Sequence, residues 1–244
     1  MIDNHYACSR ARRFSWTQAA CTVAAAMLLI CTTCMQASAD PPELIKHSLE
    51  VLKDIGNIPE QEIPAELMGK CMGIAVFPSV YKGGFWVGAS YGKGLMVVRD
   101  PVTGKWNGPV FLSIGSSSFG LQIGFQKSEL ILVIMNLRGV RSFFTNNVTL
   151  GGDISVAAGP VGRHLSASTD ITLNAAVYSY SKTKGLFGGL ALKGAFIRHD
   201  YAEDELLYGR PLTPHEILSG RTRSVPDIAR RLLNFLDRKY PYHP

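Results

Sequence analysis

Cysteine is scarce where it would stabilise a fold. The chain has five cysteines in 244 residues, and Cys8, Cys21, Cys31 and Cys34 all lie near its start. Beyond residue 39 only Cys71 remains, so no disulfide is expected within that part and its core must hold the fold alone. Metal patterns are missing as well. After residue 39 there is no Cys-x-x-Cys, and His47, His164, His199 and His215 stand far apart with no His-x-x-x-His spacing. No Gly-x-Ser-x-Gly elbow exists, and the Gly/Ser-rich stretch 115–120 lacks the Gly-Lys-Ser/Thr ending of a nucleotide loop. His164, Ser166 and Asp170 stand close together, but without a supporting motif they read as a polar loop. These absences argue against an enzyme, and no cofactor or metal is expected. Cys71 reads as a small buried residue, not a nucleophile.

Charge of one sign is concentrated only at the start. Arg10, Arg12 and Arg13 precede an apolar stretch over 19–30 and the small-residue site Ala37-Ser38-Ala39. That order predicts a secretory signal peptide over 1–39, with 40–244 as a single exported domain. Cys31 and Cys34 lack the small preceding residues of a lipoprotein site, so simple cleavage is favoured over lipidation. The expected location is periplasmic and peripheral to a membrane. The formal net charge is +6. Removing Asp3 and the three arginines leaves +4, which is compatible with an anionic membrane surface. No nucleic-acid partner is expected.

Hydrophobic periodicity predicts an α+β fold. A helix is expected over 42–55, with Leu44, Ile45, Leu49, Leu52 and Ile55 on one face and a short second helix over 64–70. Strand signals follow over 73–77 (stopped by Pro78), 84–89, 94–99 and 106–114. The link at 115–120 leads to further strands over 121–125 and 130–135. A short helix is expected over 137–144. The runs 154–158 and 170–181 flank a Gly159-Pro160 turn, and 189–197 reads as a third run. Helices return at 202–208, at 214 onward behind Thr213, and at 226–239. The expected architecture is a largely antiparallel twisted sheet covered by N-terminal and C-terminal helices. GIAVF and LILVIM are apolar on both faces, and the chain closes in helices, so an outer-membrane barrel is disfavoured.

Several motifs occur in one order: IPAELMGKCMGIAVFPSV, KGGFWVGASYGKGLMVVRD, IGFQKSELILVIMN, TLGGDISVAAGPVGR and AAVYSYSKTKGLFGGLALKGA. Together they resemble the SYLF domain family, in its bacterial exported branch. The resemblance implies a non-enzymatic domain that binds membrane lipids, with phosphoinositides and other anionic lipids as ligands of eukaryotic members and actin for some fungal ones. No SH3 or zinc-finger segment accompanies the domain, so actin and phosphoinositides are not the expected partners. Anionic phospholipid or a membrane surface is expected instead, with an envelope protein as a further candidate.

The residues suggest where. In 182–189, Lys182 and Lys184 flank Leu186 and Phe187, suited to phosphates and to the acyl boundary respectively. The alternative is a hairpin with Phe187 folded into the core. Arg163 could hold a headgroup in a bidentate way or pair with Asp153 or Asp170. The resemblance also points to Lys46 and Lys53 on the first helix, whose polar face holds as many acids as bases. The last helix is more basic. A carrier of an apolar lipid-like ligand and a structural or adaptor protein of the envelope remain open.

Overall fold

The computed structural model describes residues 40–55, 63–85, 87–119, 124–160, 175–183, 186–189, 192–222 and 224–243. Four long strands dominate it: β1 (Gly73–Phe85), β2 (Val87–Arg99), β3 (Trp106–Phe119) and β4 (Gly124–Ile134). Five short ones follow, β5 (Asn147–Thr149), β6 (Val156–Ala158), β7 (Val177–Thr183), β8 (Leu186–Gly189) and β9 (Phe196–His199). The helices are α1 (Pro41–Ile55), α2 (Ala65–Lys70), α3 (Leu137–Ser142), α4 (Tyr201–Tyr208), α5 (Pro214–Leu218) and α6 (Asp227–Lys239). The strands form one sheet in the order β5-β9-β3-β2-β1-β4-β7-β6, with β8 on the edge of β7. Only β6–β7 is parallel among these pairings. This is the α+β fold that the periodicity predicts, with an antiparallel sheet and helices from both ends of the sequence.

Several predicted stops lie inside strands. Pro78 does not end β1. The register slips between Val76 and Ser79 against β2, and between Phe77 and Val80 against β4. Proline thus sits in a bulge, where its missing N–H removes no ladder bond. Residues 91–93, between the expected strands 84–89 and 94–99, likewise lie within continuous β2. A Cβ on Gly94 would lie 2.4 Å from the Val76 carbonyl oxygen, so glycine is what lets the bulged strand approach. The link at 115–120 is a strand up to Phe119, tied to β2 by the Ser90–Ser116 hydroxyl pair at 2.7 Å. Residues 124–125 open β4 and do not end a separate strand, and 121–123 lie outside the described residues. The run 189–197 is also not one strand. Its ends belong to β8 and β9, with Gly194 at φ 83° in the turn before β9.

Both sheet faces are covered over half their length. On one, Ile74, Val76, Leu95, Val97, Ile131 and Tyr180 pack with Ile45 and Leu52 of α1 and Leu232 and Leu236 of α6. On the other, Phe77, Met96, Val110 and Leu132 pack with Val140 of α3 and Ile217 and Leu218 of α5. Alternation along each strand sends successive side chains to the two cores. α5 begins with the predicted capping box: Thr213 Oγ1 accepts from the Glu216 N–H, and the Glu216 carboxylate accepts from the Thr213 N–H at 2.9 Å.

Among the described residues, the buried apolar side chains of the four long strands stop at Val80, Leu95, Ile114 and Leu130. Past Val80, β1 continues for Tyr81–Phe85, about 16 Å at the rise of an extended strand. The sheet therefore projects beyond its own core.

Candidate functional site

Lys182 stands near the end of β7, opposite Glu129 of β4. Its Nζ lies 3.6 Å from Asp54 Oδ2 and 3.8 Å from Glu129 Oε2, and the side chain is 22% exposed. Burial pushes the Glu129 carboxyl above the usual range, Lys182 pulls it back, and Asp54 adds to the rise. Lys182 is thus held by two carboxylates in a partly covered site, which leaves less of its charge to present to a ligand.

The segment after it folds as a hairpin. Lys182 pairs with Phe187, and Thr183 with Leu186. For Leu186 and Phe187 only the strand backbone is described. Lys184 and Arg163 lie outside the described residues. Lys46 and Lys53 are exposed on the outer face of α1, and Lys46 Nζ is 3.7 Å from Glu43 Oε1. The last turn of α1 reaches β7 through Asp54, so Lys53 neighbours the Lys182 region while Lys46 lies two turns away. In α6, Arg230 is tied to Asp227 at 3.2 Å and to the Val225 carbonyl, and Arg238 donates to the Asn234 carbonyl.

Two buried charge systems escaped sequence reading. Arg99 is 1% exposed and donates to four carbonyl oxygens, of Cys71, Gly104, Met68 and Tyr240, at 3.0–3.2 Å. Its guanidinium lies 4.3 Å from the centre of the Trp106 ring. Beside it burial pushes the Cys71 thiol up to about 12, so the thiol is neutral and structural, as its sequence context predicts. The second system joins β2 to α4. Lys93 Nζ lies 2.7 Å from Glu203 Oε1 and 3.3 Å from Asp200 Oδ2. Asp204 is fully buried and accepts from the Phe111 N–H at 2.8 Å. Burial pushes its carboxyl up to about 7, against the pull of that N–H. No spacing in the sequence marks Arg99 or Asp204, because their partners come from distant segments.

Register also assembles an exposed aromatic row. Phe196 of β9 pairs with Gly115, Gly115 with Tyr91, Tyr91 with Tyr81, and Tyr81 with Lys127. Directly paired residues share a sheet face. Phe125, two residues before Lys127, stacks on Tyr81 with ring centroids 5.7 Å apart. Phe196, Tyr91, Tyr81 and Phe125 are 41, 55, 43 and 76% exposed. Among the described residues, no group of three or more His, Cys, Asp or Glu is arranged to hold a metal ion. No helix there is long and apolar enough to cross a membrane.

These features define a class: an α+β domain on one mostly antiparallel sheet, closed by helices at one end and carrying exposed aromatics where the sheet projects. The chain belongs to the Ysc84 family, described as "Las17-binding protein actin regulator", whose sequence model matches residues 115–239; this is the SYLF domain family. It is 35% identical over 199 residues to the SH3 domain-containing YSC84-like protein 1 of Xenopus laevis, covering 79% of this chain and 58% of that protein. The human protein of that name is 34% identical over 198 residues, with 79% and 57% covered. LAS seventeen-binding protein 3 of Saccharomyces cerevisiae is 31% identical over 188 residues, covering 76% of this chain and 40% of the yeast one. The chain spans less than three-fifths of the length of these relatives. The yeast protein's name describes a binding protein.

Proposed function

We propose that this protein is a non-enzymatic binding domain, exported by its first 39 residues, that attaches peripherally to an anionic phospholipid surface. One observation carries the reading. Residues 79–99 and 106–128, which supply the projecting strand ends, contain no Asp or Glu, yet they include Lys82, Lys93 and Lys127. A protein end with cations, exposed rings and no carboxylate of its own is suited to a negative, partly apolar surface. Lys184, Leu186, Phe187 and Arg163 remain the contact residues suggested by the sequence, together with Lys46 and Lys53 of α1.

Co-sedimentation with phosphatidylglycerol and phosphatidylcholine vesicles tests the function. Preferential pelleting with the anionic vesicles is expected; equal or absent pelleting refutes it. Changing Lys184, Leu186, Phe187 and Arg163 together tests that site separately. A second reading follows from the family description and the yeast relative's name, which specify binding to a protein, Las17. A protein-binding adaptor would instead recover a stoichiometric protein partner by pull-down and show no vesicle preference.

A further inference from the structure

We infer that the bilayer contact is the exposed aromatic row of the projecting sheet, with Tyr81, Tyr91, Phe125 and Phe196 entering the interfacial zone and Lys127 and Arg198 meeting lipid phosphates. This rests on the anionic-surface reading above and assigns it a face. Four strands supply the aromatic side chains, and strand pairing places them on one side of the sheet. From β9 to β4 the row crosses four strand spacings, about 19 Å. The cations stand at its two ends. Lys127 Nζ lies 5.9 Å from the centre of the Tyr81 ring, and the Arg198 guanidinium lies 5.3 Å from that of Phe196.

The occupant follows from this chemistry. Tyrosine and phenylalanine beside lysine and arginine match the layered polarity of a membrane interface, where rings sit at headgroup level and cations at the phosphates. Both cations are exposed. Among the described residues neither is in an ion pair, whereas Lys93 and Lys182, nearer the core, are both tied to carboxylates. A second copy of the chain fits poorly, because pairing this face with itself would oppose cation to cation. Gly115, between Tyr91 and Phe196, adds to the surface: a Cβ there would lie 2.4 Å from the Phe196 ring. Its absence lets the ring lie flat along the sheet and not stand away from it.

The experiment uses the full chain and vesicles of phosphatidylcholine with or without about one-third phosphatidylglycerol. Tyr81→Ser with Phe125→Ser is expected to weaken partitioning at least about tenfold. Lys127→Gln with Arg198→Gln should remove about fivefold per charge from the anionic vesicles alone. Val102→Ser, at an exposed turn away from the row, should leave partitioning unchanged. Phe125→Trp, which keeps an aromatic ring, should be quenched by brominated lipid beyond the quenching of the wild type's own three tryptophans, and only when anionic vesicles are present, a readout that survives if the serine variant fails to fold. Undiminished binding of both double variants, with no quenching of Phe125→Trp beyond that of the wild type, overturns the face and leaves the anionic-surface function standing. No binding by the wild type overturns both. A wild type that self-associates through this row, or that prefers an acidic protein to vesicles, also overturns the assignment.

Discussion

Single residues decide two aspects of stability. Arg99 saturates four buried carbonyl oxygens drawn from α2 and its C-terminal flank, the β2–β3 turn and the C-terminal tail. Arg99→Met fills similar space but removes all four of these hydrogen bonds, and a buried carbonyl that loses its partner costs about 1–3 kcal/mol. A loss of at least about 3 kcal/mol is expected in urea unfolding, with Arg99→Lys intermediate because one ammonium cannot span the four acceptors. A loss under about 1 kcal/mol for Arg99→Met would show that the tail does not depend on this residue. Asp204 acts through pH. Its folded pKa of about 7 exceeds the usual 3.8, so the folded state holds this proton more tightly than the unfolded chain. Its stabilising share is complete below about pH 4 and is lost as pH rises through 7. The charges of Asp200 and Glu203 push it the same way. Asp204→Asn retains an oxygen for the Phe111 N–H and removes the titration. The stability gap between variant and wild type should widen in the variant's favour by roughly 2–3 kcal/mol from pH 5 to pH 8; a constant gap would place the titration elsewhere.

At the scale of elements, bulge and glycine act together. Gly94→Ala would put a Cβ 2.4 Å from the Val76 carbonyl oxygen and 2.4 Å from the Phe77 ring. Backbone cannot yield as a flexible side chain does, so a loss of roughly 1–3 kcal/mol is expected, lowering Tm by several degrees. Pro78→Ala, in the unpaired bulge, should change Tm far less; equal effects would mean that the bulge is not the strain point. The same pairing explains what the sequence disclosed of these elements. Helices α1 and α6 were legible because apolar residues recur at helical spacing, and α5 because its cap chemistry is local. The long strands look fragmented in sequence because Pro78, Gly92 and the glycine–serine run resemble breaks. Whether such residues break a strand depends on the partner strand opposite, which no local window contains. The candidate contact was legible only in part: the 182–189 segment shows its lysines and apolar pair, but the carboxylates that hold Lys182 come from β4 and α1.

At the scale of the whole molecule, the division of charge leads to a prediction about salt. The aromatic row joins residues more than 100 positions apart in sequence, so composition and motif spacing could not disclose it; only the register does. The row combines two forces with different ranges. Contact between rings and acyl boundary depends little on salt, whereas attraction of Lys127 and Arg198 to phosphates is screened once the Debye length falls from about 10 Å at 0.1 M to about 3 Å at 1 M. With about 1 kcal/mol for each cation near the surface, raising NaCl over that range should weaken partitioning into phosphatidylglycerol vesicles up to about thirtyfold, toward the level seen with neutral vesicles. Lys127→Gln with Arg198→Gln should start near that lower level and change little with salt. If the double variant kept the wild-type salt response, the relevant charges would lie elsewhere, with the exposed Arg231 and Lys239 of α6 the next to test. The molecule would then meet the membrane with its helical end, leaving the projecting strands facing away.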